Sequence, residues 1–241
     1  MIDMETEYSK VKILVVDDSD IIRITLSKFL SEYEIEVITC TDGLEGIRKS
    51  IEYKPNLIML DLYMPNLDGI KMLRVLKILD EVKSIPVIVI SGHTDKGNVL
   101  AAMEAGAERI ISKPLSKEVL VKNINDILGK SFLSGIRKVT PLSAAEKENM
   151  NQELKKYFLK SLFQKRDTLR QSLEKKNVDL LKLVVHELKG SSGTVGLTNI
   201  MELCIEVESI ISSSADNWML IKSKSEFLYD KLNEIEISIA K

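Results

Sequence analysis

Five residues scattered through the first half of the sequence are of the types that could handle a phosphoryl group together. Asp17 and Asp18 directly follow the apolar run Val11-Lys12-Ile13-Leu14-Val15-Val16. Asp61 follows the run Asn56 to Leu60, Ser91 ends the run from Pro86, and Lys113 follows Glu108 to Ser112. Three carboxylates brought together repel one another and need a counter-charge to stay ionised. A hard divalent cation with oxygen ligands supplies it, and magnesium suits a cage that keeps several waters. One carboxylate can then act as nucleophile toward phosphorus. The phosphoryl oxygens in turn need a cation and a hydrogen-bond donor, which Lys113 and the Ser91 hydroxyl are suited to provide. An Asp-Asp pair after a strand is by itself usually a loop or a helix cap, and a lone Lys-Pro says nothing. The weight lies in five such positions, each at the end of a run.

A second candidate stands far downstream, in Leu183-Val184-Val185-His186-Glu187-Leu188-Lys189-Gly190-Ser191-Ser192. With about 100° per helical residue, Leu181, Val184 and Leu188 share the face expected to meet a core. His186 falls almost opposite, with Asp179, Lys182, Leu183, Lys189, Gly190 and Gly193. The ring is therefore expected in solvent at mid-helix. Its ordinary pKa of about 6.5 leaves a neutral, nucleophilic imidazole near neutral pH. Lys189 can offset phosphate charge. Gly190 costs about 1 kcal/mol of helix stability against alanine, which marks a place of close approach. An exposed helical histidine alone is ordinarily plain surface. His93, two residues past Ser91, reads as a loop residue rather than a catalyst.

The elements that must position these residues follow from periodicity. Strands are expected at Val11 to Val16, Glu36 to Thr39, Asn56 to Leu60, Pro86 to Ser91 and Glu108 to Ser112. Helices are expected between and after them, at Ile21 to Glu32, Asp42 to Tyr53 (capped by Thr41 or Asp42), Asp68 to Leu79, Asp95 to Ala105 and Ser116 to Leu128. Alternation of this kind, with nearly continuous apolar strands, implies a parallel sheet covered on both faces. Ligands then bind beyond the carboxyl ends of the strands. From about residue 148 the strand pattern stops. Asn149 to Glu174, Val178 to Ser192, Leu197 to Ser213 and Asn217 to Ile239 read as an antiparallel four-helix bundle. The expected division is 1–129, a linker at 130–147, and 148–241.

Composition narrows the class. With 44% apolar and 29% charged residues and a net charge of −2, the 241-residue chain is neither membranous nor built to attract nucleic acid. Cys40 and Cys204 lie far apart with no CxxC, which argues against a disulfide framework or a zinc site and for two buried thiols. The N-terminus lacks a signal-peptide core and no apolar run could span a bilayer, so a cytoplasmic location is expected.

Residues 10 to about 128 resemble a response-regulator receiver domain, with a flavodoxin-like, doubly wound five-stranded fold. The matching motifs are Val15-Val16-Asp17-Asp18-Ser19, Asp61-Leu62-Tyr63-Met64-Pro65-Asn66-Leu67-Asp68-Gly69, Ser91 and Lys113-Pro114. The resemblance implies Asp61 as phosphoacceptor. It implies magnesium held by Asp18, Asp61 and the Tyr63 backbone carbonyl, with Asp17 acting mostly through water. Ser91 and Lys113 would grip the phosphoryl group. One departure stands out: Ile110 occupies the position three before the lysine where receivers commonly carry an aromatic switch. Residues 148 to 241 resemble the histidine-containing phosphotransfer (HPt) family, through His186, Leu188, Lys189, Gly190, Ser191 and the downstream Gly196. That implies His186 as a second phosphoacceptor with Lys189 beside it.

The combination implies a two-component phosphorelay carrier that exchanges phosphoryl groups with sensor histidine kinases and other receiver proteins. It would catalyse only its own phosphorylation and dephosphorylation. No nucleic-acid contact or membrane insertion is expected. A second reading is a binding protein in which Asp61 phosphorylation rearranges the domains and His186 is only part of a docking surface. A third, a metal-dependent phosphohydrolase, lacks a further acid or base. Whether Asp61 and His186 exchange within one chain stays open at this level, as does oligomeric state.

Overall fold

The computed structural model describes residues 10–64, 67–92, 96–130, 132–135, 144–213 and 217–239. Pro65, Asn66, His93, Asp95 and the stretch 136–143, with Pro141 of the expected linker, lie outside the described residues.

The first unit alternates strands and helices: β1 Val11–Val16, α1 Asp20–Ser31, β2 Ile35–Cys40, α2 Gly43–Tyr53, β3 Leu57–Asp61, α3 Gly69–Ile78, β4 Val87–Ser91, α4 Lys96–Glu104, β5 Arg109–Ser112 and α5 Lys117–Leu128. All five strands are parallel, in the order β2-β1-β3-β4-β5. Side chains alternate across the pleat, so one sheet has two cores. Leu14, Val16, Ile58, Leu60, Val87 and Val89 pack with Met72, Leu73 and Leu76 of α3. Ile13, Val15, Leu57, Met59, Ile88 and Ile90 pack with Leu26 and Leu30 of α1 and Leu120 and Ile124 of α5. Burial on both sides explains why these strands read as continuous apolar runs.

Helix starts are fixed by short polar side chains that satisfy otherwise unbonded amides. The Asp42 carboxylate accepts from the amides of Leu44 and Glu45, so of the two expected caps Asp42 is the one used. Asp68 accepts from Lys71 N, and Ser116 from Val119 N. Gly69 allows the loop after β3 to fold back: a Cβ there would lie 2.7 Å from the Leu62 Cα, and its amide donates to Leu62 O at 2.9 Å.

A short helix, α6 (Phe132–Gly135), falls inside the expected linker, and its Leu133 joins the α5 side of the sheet core. The bundle follows: α7 Ala144–Glu174, α8 Val178–Thr194, α9 Thr198–Ser213 and α10 Trp218–Ile239. The first of these starts before the expected boundary at 148, where Ala144-Ala145-Glu146-Lys147 are all strong helix formers. Asn177 caps α8 by accepting from Leu180 N. Gly196, at φ +79, ends it, with Leu197 N donating back to Ser192 O at 2.9 Å. Phe158, Leu162, Leu169, Leu181, Val184, Leu188, Ile200, Cys204, Val207, Ile221, Leu228 and Leu232 form its core. Both cysteines are buried, reduced thiols. No helix of the described residues is long and apolar enough to cross a membrane.

The two units are packed on each other. Ile21, on α1 of the first unit, is 3% exposed and belongs to the bundle's apolar cluster. Lys28 of α1 donates to Glu153 of α7 at 2.7 Å. Helix α1 thus serves two cores: Leu26 and Leu30 face the sheet, and Ile21 faces α7 and α8.

Candidate functional site

The strand order reverses between β1 and β3, and the crevice beyond their carboxyl ends is where such sheets hold ligands. Asp17 and Asp18 follow β1, and Asp61 is the last residue of β3. Their carboxylate oxygens lie within 4.8 Å of one another. Lys113, buried just after β5, donates to Asp17 Oδ2 at 2.9 Å and to Asp61 Oδ2 at 2.7 Å. Ser91 ends β4, fully buried, and its carbonyl accepts from Lys113 N at 2.9 Å. The peptide from Lys113 to Pro114 is cis. Tyr63 N reaches Asp61 Oδ1 at 3.3 Å, which brings the Tyr63 backbone alongside the acids. All five scattered residues therefore converge.

One ammonium against three carboxylates leaves the pocket short of positive charge. Burial, together with the neighbouring Asp61 carboxylate and against the pull of Lys113, raises Asp17 to about 6. Burial and the negative charges of Asp17 and Asp61 raise Asp18 to about 7. The lysine responds oppositely: although burial lowers it, Asp17 and Asp61 outweigh that and hold its pKa above the usual lysine range. A compact cluster of oxygen ligands with excess negative charge fits a hard divalent cation such as magnesium. Ile110 sits on β5, partly buried against the sheet core on the α3 side.

The histidine corrects one expectation. His186 does lie opposite the bundle core, as the wheel requires, yet it is only 5% exposed. Of the face assigned to solvent, Asp179 and Lys182 are exposed, whereas His186, Lys189 and Gly190 are buried where the first unit meets the helix. The ring packs against Tyr63, with centroids 4.8 Å apart. A Cβ built on Gly92, next to Ser91, would lie 3.0 Å from His186 Cε1 and 2.8 Å from Lys189 Cε. Lys189 donates to Gly92 O at 2.6 Å and is ion-paired to Glu208 of α9, so this lysine too is buried rather than free in solvent. Gly190 has the close neighbour its type suggested: a Cβ there would meet Lys113 Cδ at 3.6 Å. Beside the ring lies a cavity of about 300 Å³, lined by Tyr63 and Asn98 on one side and Asp179, Lys182, His186 and Glu208 on the other.

Two site residues were not anticipated. Glu208 Oε1 stands 3.5 Å from His186 Nδ1, and the carboxylate is 7% exposed. Its signal was present in the sequence: Cys204, Glu208 and Ile211 share one stripe at helical spacing, so an acid interrupts an apolar face. Lys165 of α7 lies 3.3 Å from Ser191 Oγ and 3.8 Å from Glu187. Burial lowers its pKa, opposed by Glu187 and, more weakly, by Asp18, Asp17 and Asp20 of the first unit. No sequence pattern marks it, because its surroundings come from α8 and from the first unit.

Comparison with known proteins finds two family models in the chain. Residues 13–125 match the response regulator receiver domain model, and residues 153–234 match the Hpt domain model. Protein PilG of Pseudomonas aeruginosa is 34% identical over 118 residues, covering 49% of this chain and 87% of PilG. A protein-glutamate methylesterase/protein-glutamine glutaminase of Geobacter sulfurreducens is 42% identical over 116 residues, 46% of this chain and 30% of that protein. The Mycobacterium leprae transcriptional regulatory protein PrrA is 34% identical over 125 residues, and the chain spans 53% of its length. Among solved structures, the chemotaxis protein CheY4 of Vibrio cholerae superposes with a TM-score of 0.48 at 27% identity, over 49% of this chain and 99% of that one.

Proposed function

Because the chain belongs to the response-regulator receiver family and joins its receiver to an Hpt domain, we propose that it is a phosphorelay carrier with two phosphoacceptors, Asp61 and His186. The observation that carries this reading is the placement of His186 against the loop beside the acidic pocket, with room for a phosphoryl group in the adjoining cavity.

Asp61 is the nucleophile of the receiver, held by Lys113 and by the Tyr63 amide. Asp18, Asp61 and the Tyr63 carbonyl would hold magnesium, with Asp17 acting through water. The ion would neutralise charge on the transferring phosphoryl group. Lys113 and the Ser91 hydroxyl stabilise the same oxygens as they move. In the Hpt domain, Glu208 stands at Nδ1 of His186 and orients the ring so that Nε2 is the attacking nitrogen. Lys189 fixes Glu208 in turn and adds positive charge near the phosphoryl site.

The phosphodonor is a sensor histidine kinase or another phosphotransfer protein, and the acceptor is a receiver, in the cytoplasm. In the alternative, Asp61 phosphorylation rearranges the domains and His186 is only part of a docking surface; His186→Gln would then weaken binding without blocking the passage of label. The test is to incubate the full chain with a radiolabelled phosphorylated kinase and then with a separate receiver. Asp61→Asn should abolish uptake, and His186→Gln should block passage onward. If neither substitution removes label, the reading fails.

A further inference from the structure

We infer that Asp61 and His186 exchange a phosphoryl group within one chain, across the face that buries His186 against the receiver. This rests on the carrier reading and adds where the second site's partner lies.

Five contacts define the face. The ring of His186 packs at a tilt against Tyr63, two residues past Asp61. Lys189 donates to the carbonyl of Gly92, the residue after Ser91. Gly190 lies over Lys113, which itself holds Asp61. Ile21 and Lys28 of α1 anchor the bundle, one in its apolar cluster and one on Glu153. The residues that meet the ring and its helix are therefore the neighbours of the phosphoacceptor, not an unrelated patch. The close approach depends on Gly92, and Gly190 opposite leaves room for no more than a small side chain. A side chain on Gly92 would push into His186 and Lys189, and one much longer than a methyl on Gly190 would push into Lys113. Apolar anchoring, an ion pair and paired small residues mark an interface suited to repeated use by the same two domains.

Covalent connection strengthens the case. Two domains on one chain see each other at an effective concentration on the order of millimolar. A separate carrier at micromolar concentration competes poorly for the same face. In the exchange, the P–N bond to His186 Nε2 breaks as a P–O bond to Asp61 forms. The electron pair of the broken bond stays on Nε2, and a proton on Nδ1, beside Glu208, keeps the departing imidazole neutral. The reverse step runs through the same atoms.

The experiment charges Asp61 of the full chain with acetyl phosphate and magnesium and follows arrival of phosphate on His186. The expected rate constant is unchanged over a hundred-fold dilution. A mixture of Asp61→Asn and His186→Gln chains should transfer far more slowly, in proportion to concentration. Lys28→Glu should slow the native rate about three-fold, in line with a surface ion pair, and adding Glu153→Lys should restore it. A rate proportional to concentration, with the mixture as fast as the native chain, would overturn exchange within one chain and leave the carrier reading intact. If phosphate never reaches His186 in any arm, both fall.

Discussion

At the residue scale the account turns on unbalanced charge. Asp17 and Asp18 have folded pKa values raised to about 6 and about 7 from an ordinary 3.8. In the metal-free protein the folded state therefore binds protons more tightly than the unfolded state. That contribution to stability is complete below pH 3.8 and is lost as pH rises through 6 to 7. Magnesium needs the ionised carboxylates, so it should restore stability most where they are deprotonated. Thermal melts with and without magnesium should show a rise in Tm of a few degrees (about 1.4 kcal/mol at ten times Kd) at pH 8 and little at pH 5.5. An equal rise at both pH values would contradict the site. Glu208 makes a second case. Its carboxylate faces His186 Nδ1 and pairs with buried Lys189. Glu208→Ala strands that ammonium and should cost about 3 kcal/mol in urea denaturation. A cost below about 0.5 kcal/mol would show the pair to be idle. The acidic pocket was legible in the sequence because each of its residues ends or directly follows a recognisable strand. Lys165 was not, because nothing in its own helix distinguishes it from a solvated lysine.

At the scale of elements, periodicity located the strands and helices to within a few residues, and the departures have local causes. Helix α7 starts early because its first turn is rich in helix formers. Helix α8 runs on to Thr194 because Gly196, with its positive φ, supplies the stop. The helical wheel of α8 was right about which residues face the bundle core and about exposed Asp179 and Lys182, and wrong about water around His186, Lys189 and Gly190. A single-helix pattern separates core from not-core; it carries no information on whether a second domain lies over the remaining face. Gly190 shows the consequence. A methyl group there meets only Lys113 Cδ, at ordinary contact distance. Gly190→Ala should therefore stabilise the chain by about 1 kcal/mol through helix propensity. Gly190→Leu should separate the domains. Denaturant midpoints that fall with Gly190→Ala would show a tighter contact than the structure has.

At the scale of the whole molecule, α1 lies between two cores and couples them. Ile21 is the apolar bond of that coupling. Ile21→Asp should open the domain face and expose His186, read as faster modification of that residue by diethyl pyrocarbonate in peptide mapping. Equal rates in the native chain and the variant would mean that His186 is not covered in solution. A covered acceptor also implies that an outside carrier reaches Asp61 only when the domains part, while a small phosphodonor needs no such opening. The central claim is that one chain carries phosphate on both an aspartate and a histidine, and phosphorus NMR of the full-length protein, charged with acetyl phosphate and magnesium, tests it most directly. The account predicts two resonances, an acyl phosphate and a phosphoramidate, with His186→Gln removing only the second and Asp61→Asn removing both. A phosphoramidate signal that survives His186→Gln, or its absence from the native chain, would contradict it.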